Sequence, residues 1–264
     1  MRGIRCWQVD AFTDRRFGGN PAAVCWLETD RETEWMQSVA AEMNLSETAF
    51  VRPRDGSLEL RWFTPTMEVD LCGHATLATA HALWSDGLCS LDQPLEFQTR
   101  SGLLKCSRAD QFIEMDFPAT PATVVTPSEN LLPALGIDSA IVARSRFYML
   151  VVVDTPTTVR NLQPDFARLI HEQTLGIIVT APSDDSRYDF ISRFFAPAMG
   201  VNEDPVCGSA HCCLTPYWAG RLGKTALSAY QASSRGGVLR LRLNDDRVVL
   251  GGQAVVVWKG ECFC

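Results

Sequence analysis

The chain has 264 residues, of which 46% are hydrophobic and 21% charged, and its 24 Lys+Arg against 31 Asp+Glu leave a net charge of −7. This composition supports a packed core and excludes whole-chain disorder, and the length fits one large or two modest domains. No apolar run reaches the about 18–20 residues of a membrane span, no Lys/Arg cluster marks a nucleic-acid partner and no signal-type start precedes the chain, so a cytoplasmic location is expected.

Taken in chain order, alternation predicts strands over residues 6–12 and 20–27, the second entered through a Gly-Gly-Asn-Pro turn. Trp35, Val39 and Met43 recur at helical spacing and predict a helix over 32–43. Strands over 48–52 and 59–63, an Ala/Leu-rich helix over 75–84 and a hairpin of 101–107 with 112–117 follow. Residues 118–145, with prolines at 118, 121, 127 and 133, read as a connector. Beyond it come a strand over 147–153, a helix over 164–173, strands over 176–181 and 188–195, a helix over 211–219 and strands over 238–243, 248–250 and 254–258. Each half therefore reads as a sheet wrapped on a central helix, giving domains of residues 1–118 and 119–264, with the last strand free to return to the first half.

The halves also repeat in sequence. Arg61-Trp-Phe-Thr-Pro-Thr-Met-Glu-Val69 lies over Arg193-Phe-Phe-Ala-Pro-Ala-Met-Gly-Val201 at an offset of 132, with five of nine positions identical. After three extra residues the offset becomes 135, laying Cys72-Gly-His-Ala75 on Cys207-Gly-Ser-Ala210 and residues 100–105 on 235–240. The extra residues are assigned to the acidic stretch Asn202-Glu-Asp-Pro205, where Asp204 enters.

In each half a helix begins at Cys-Gly-x-Ala, so unpaired N–H groups and the positive end of the helix dipole face whatever lies in front. Such a start suits a small carboxylate, and a glycine lets the ligand approach the backbone. A thiol there is expected to have a lowered pKa, which makes Cys72 and Cys207 candidate thiolate bases for a two-thiol racemase or epimerase. His74 opposite Ser209, and Glu47 after the first helix, break the symmetry and favour a directional proton transfer.

With these motifs assembled, the sequence resembles the PhzF family of phenazine-biosynthesis-type isomerases, which share the α+β diaminopimelate-epimerase-like fold. The matching stretches are Asp10-Ala-Phe-Thr13, Gly19-Asn-Pro-Ala-Ala-Val24, Met43-Asn-Leu-Ser-Glu-Thr-Ala-Phe50, Arg61-Trp-Phe-Thr-Pro65, Leu71-Cys-Gly-His-Ala-Thr76, Glu203-Asp-Pro-Val-Cys-Gly-Ser-Ala-His211 and Arg235-Gly-Gly237. The likeness is greatest to the branch of phenazine-biosynthesis-like domain-containing proteins. It implies two pseudo-symmetric domains, each a β-barrel-like sheet around a central helix, with the active site between them, and a homodimer. It implies Glu47 as acid/base, with His74, Asp204 and Ser209 as further catalytic groups. Asn20, Gly73, Ala75, Gly208 and Ala210 are then substrate-binding, holding a small-molecule carboxylate at the helix starts. The prototype reaction moves a proton between ring carbons without a cofactor. Cys207 departs from the branch, which more often has Thr there, and with Cys72 it restores a two-cysteine pattern that keeps the two-thiol alternative open. An inactive binding or regulatory protein on the same fold is the third reading.

Other signals are set aside. Ten scattered cysteines without any C-x-x-C read as reduced thiols, and Cys207, His211, Cys212 and Cys213 occupy different helix faces, so no metal site is expected. No phosphate loop follows a strand, so no nucleotide cofactor is expected. Cys262-Phe-Cys264 reads as a frayed tail.

Overall fold

A computed structural model describes residues 3–263 and divides them into two compact units. One runs to Asp116 and resumes at Gly251, and the other is Phe117–Leu250.

In the first unit the strand Ile4–Ala11 lies antiparallel between Asn20–Trp26 and Ala254–Cys262. Asn20–Trp26 runs parallel to Glu47–Arg54, and helix Thr33–Met43 makes the crossover. Glu47–Arg54 pairs antiparallel with Ser57–Phe63, which pairs in parallel with Leu95–Thr99 after the helix Gly73–Ser85. Gly102–Ala109 and Phe112–Pro118 complete the meander.

The second unit follows the same order. Ile141–Arg144 is antiparallel to Tyr148–Val152, which is parallel to Gly176–Pro182. That strand is antiparallel to Phe190–Ala196, which is parallel to Ala226–Gln231 after the helix Gly208–Leu222, and Gly237–Asn244 turns back on it. Parallel neighbours require a long crossover, and in both units a central helix supplies it.

Both central helices lack an amphipathic stripe because sheet surrounds them. Ten of the residues from His74 to Trp84 are buried in the first, and in the second the run Ala210–Thr215 is buried throughout. A helix apolar on every face belongs in a core. Their polar residues bond locally: Thr76 donates to the Cys72 carbonyl at 2.6 Å and Thr79 to that of Ala75 at 2.7 Å. Pro216 interrupts the second helix and has no N–H for the Cys212 carbonyl one turn back. The Thr120 N–H, arriving from the start of this unit, donates to that oxygen at 3.0 Å.

Several expectations need correction. Both central helices start earlier than expected, at Gly73 and Gly208, with Cys72 and Cys207 as extended N-cap residues. The helix expected over 164–173 shrinks to Phe166–Leu169, because the crossover is shared with a helix Pro156–Asn161 capped by the Thr155 hydroxyl. Strands Leu95–Thr99 and Ala226–Gln231 were not anticipated. Cys262 is no frayed tail, since it ends the last strand opposite Ile4, whereas Cys264 lies outside the described residues. Among the described residues no helix is long and apolar enough to cross a membrane.

Candidate active site

The first group of predicted residues is built by a helix stop, a strand start and a helix start. Helix Thr33–Met43 closes on Asn44, whose left-handed backbone (φ 50°) sends its N–H back to the Ala40 carbonyl. Three residues later Glu47 opens its strand, opposite Ala22. Its side chain is 19% exposed, and Oε2 lies 3.1 Å from Nε2 of His74, the second residue of the central helix. The approach lacks the alignment of a hydrogen bond. His74 is buried, and burial pushes its pKa down to about 3, so its ring is neutral and the contact with Glu47 is polar rather than ionic. On the other side of the ring, Nδ1 meets the Asn20 amide at 3.2 Å and the Cys72 sulfur at 3.5 Å. With Asn20 donating to Nδ1, the imidazole proton resides on Nε2, facing Glu47.

The second group forms around the other helix start. Ser209 Oγ lies 2.7 Å from the Tyr148 hydroxyl and 3.3 Å from the Cys207 sulfur. Gln231, fully buried, clamps the approach to the helix: its Oε1 accepts from the Cys207 N–H at 2.9 Å and its Nε2 donates to the Asp204 carbonyl at 2.8 Å. Burial pushes the Cys207 thiol up, and the Asp204 charge adds to this. This is opposite to the lowered pKa expected of the thiol, because desolvation outweighs the Ser209 and Ala210 contacts that favour the thiolate. The same burial raises the Tyr148 phenol.

The backbone positions expected to bind a carboxylate, Gly73, Ala75, Gly208 and Ala210, all fall in the first turn of a central helix. The Ala210 N–H is directed at the Cys207 sulfur, so one of these donors already has an acceptor.

Register relates the two groups. Thr48 pairs with Phe63 and Ile177 with Phe195, so the strand position of Glu47 is taken in the second unit by Gly176. A Cβ at Gly176 would run into the Phe194 ring, so the second unit has no room there for an acid. Trp62 pairs with Val69, and its counterpart Phe194 with Asp204. Asp204 thus replaces Val69, and the three extra residues lie before it, around the turn Pro197–Met199. The acidic stretch is not the insertion. Glu203 corresponds to Glu68 and makes the same pair: Arg61 Nε and Nη2 reach Glu68 at 2.7 and 2.8 Å, and Arg193 reaches Glu203 at the same two distances. Each guanidinium also lies over a phenyl ring, Phe63 at 5.2 Å and Phe195 at 4.9 Å. Sequence reasoning missed these pairs, although both arginines stand in the repeat. It also missed Tyr148 and Gln231, which no motif marks.

A carboxylate 3.1 Å from a neutral, buried imidazole is equipped for acid/base work, with Asn20 fixing the ring. The same side chains offer one ligand atom each from Glu47, Cys72 and His74 within 4.8 Å of one another, a set the sequence reading did not assemble because Glu47 is distant in the chain.

Comparison with known proteins agrees with this architecture. The profile of the PhzC-PhzF family, described as phenazine biosynthesis-like protein, matches residues 9–260. An uncharacterized isomerase of Halalkalibacterium halodurans is 54% identical over 255 residues, 96% of each chain. A crystal structure of a PhzF family protein from Enterococcus faecalis superposes with a TM-score of 0.95 at 42% identity, covering 100% of both chains. A hydroxyproline epimerase from Agrobacterium vitis has a TM-score of 0.65 over 98% of this chain and 92% of its own, at 9% identity. That likeness concerns the fold alone and makes it the epimerase type, α+β with two pseudo-symmetric halves. Profile, relatives and structures converge, and the chain belongs to the PhzC-PhzF family of phenazine biosynthesis-like proteins.

Proposed function

We propose that the protein is an isomerase that moves a proton between carbons of a small carboxylate-bearing metabolite using its own side chains. Glu47 removes the proton and redelivers it. The observation that carries this reading is the placement of Glu47 3.1 Å from the Nε2 of a buried, neutral His74. A neutral imidazole beside the carboxylate stabilises its anionic form by its dipole without neutralising it. The helix starts at Gly73 and at Gly208 each present N–H groups of the kind that bind a carboxylate, and the family resemblance adds Asp204 and Ser209 as polar contacts for the substrate's heteroatoms. Naming of relatives as isomerases supports the reaction class. The family resemblance adds a homodimer, which light scattering of the purified protein checks.

The two-thiol alternative is weaker because burial holds Cys207 protonated. Incubation with candidate carboxylates in deuterated water discriminates the readings: deuterium incorporation by the wild type that disappears in Glu47→Gln supports the proposal. Incorporation that survives in Glu47→Gln but is lost in Cys72→Ser and Cys207→Ser transfers the role to the thiols.

A further inference from the structure

We propose that Glu47, Cys72 and His74 form a site for a thiophilic divalent cation of the zinc type, and that occupancy takes the base out of action. Carboxylate oxygen, imidazole nitrogen and thiolate sulfur are the three donor types zinc selects. With Zn–O and Zn–N near 2.0–2.1 Å and Zn–S near 2.3 Å, ligand atoms in a tetrahedral site stand about 3.2–3.7 Å apart. Here the three side chains offer atoms all within 4.8 Å, and Glu47 Oε2 is already 3.1 Å from His74 Nε2. Closing the set requires the Cys72 sulfur, 3.5 Å from Nδ1, to shift toward the Nε2 edge of the ring.

The second observation concerns His74. Its Nε2 is buried and engages no aligned hydrogen bond, although the residue is only 5% exposed. Cation binding through Nε2 moves the ring proton to Nδ1. Asn20, 3.2 Å away, rotates its amide so that Oδ1 accepts that proton, which is the outer-shell support that metal-bound histidines have. The Cys72 thiol proton leaves to solvent, so that one thiolate and one carboxylate balance the two positive charges. Three protein ligands leave a fourth position for water. The second half has Gly176 and Ser209 in place of Glu47 and His74, and among the described residues no other trio of this kind occurs.

The inhibitory consequence rests on the reading of Glu47 as the base, whereas binding itself does not. The test is a Co2+ titration of the purified, reduced full chain. A thiolate-to-cobalt charge-transfer band that saturates at one Co2+ per chain and is displaced by Zn2+ is expected. Cys72→Ser should abolish the band, Glu47→Gln should weaken Zn2+ binding at least tenfold, and Cys207→Ser should leave both unchanged. Because a variant can fail to fold, X-ray absorption at the zinc edge of the wild type supplies a second readout, with one sulfur among nitrogen and oxygen neighbours expected. Absence of a charge-transfer band, its persistence in Cys72→Ser, or a zinc shell without sulfur or with sulfur alone overturns the proposal. Zn2+ should also suppress deuterium incorporation, with recovery on chelation. A metal band without any isomerase activity would refute only the functional reading, and activity indifferent to bound Zn2+ only the inhibition.

Discussion

The two halves are built alike where they carry load and differ where chemistry is proposed. Both have a bidentate Arg–Glu pair at 2.7 and 2.8 Å, an arginine over a phenylalanine and a cysteine N-cap before a buried central helix. The difference sits at two positions. Ser209 stands at the position equivalent to His74, and Gly176 at that equivalent to Glu47. One half therefore has a carboxylate beside an imidazole and the other a hydroxyl beside a thiol, which teaches that a shared frame carries different side chains at the positions to which the proposal assigns the proton transfer.

Breaking the asymmetry at Glu47 should have the largest effect. Glu47→Gln keeps the shape and removes the proposed base, and the rate of deuterium incorporation is expected to fall by about 10²–10⁴-fold. Cys207→Ser in the same assay should cost less than about tenfold.

Acid sensitivity is the next expected effect, because both halves bury a neutral histidine at the start of the central helix. Burial lowers His74 to about 3 and His211 to about 4, both below the about 6.5 of an unfolded chain. Between those values the unfolded state binds more protons, so each histidine withdraws stability as pH falls below about 6.5, by up to about 1.4 kcal/mol per pH unit, until its folded-state pKa is reached. Urea unfolding from pH 7 to 4.5 should show this slope, and His211→Gln should reduce it by about half of the histidine contribution.

Two smaller effects test the shared frame. Arg193 reaches the Leu162 carbonyl at 2.8 Å and that of Val159 at 3.3 Å besides Glu203, whereas Arg61 adds Thr33 at 2.9 Å. Arg193→Ala should thus destabilise by about 3 kcal/mol, the cost of breaking a largely buried pair, and Arg61→Ala by less. Gly176→Ala should cost about 1–3 kcal/mol by forcing Phe194 aside, as seen in a lowered thermal midpoint.

Most of this organisation was legible in the sequence because it was written twice. Helical spacing found Thr33–Met43, and the Cys-Gly-x-Ala repeat found both central helices, whose uniform apolarity conceals their starts. The insertion was misplaced because Val201 happens to repeat Val69 by identity, while the strand registers make Asp204 the counterpart of Val69. Leu95–Thr99 and Ala226–Gln231 escaped notice because they are short and draw their order from parallel partners remote in the chain. Asn20, Glu47, Cys72 and His74 were named through motifs, yet their meeting depends on the pairing of Asn20–Trp26 with Glu47–Arg54. Tyr148 stands at a strand start among ordinary residues, and only its 2.7 Å contact with Ser209 distinguishes it.

Pro216 has a consequence for how a tandem fold stays in register. Its counterpart at the repeat offset is His81, which retains its N–H. Losing one rung of the ladder at Pro216 left the Cys212 oxygen to be claimed by Thr120, so the incoming connector is moored to the helix it precedes. Pro216→Ala would restore a competing donor inside the helix and loosen the mooring, detectable as faster amide exchange at Thr120. A residue that ordinarily weakens a helix here works as a docking slot for the chain that joins two duplicated halves.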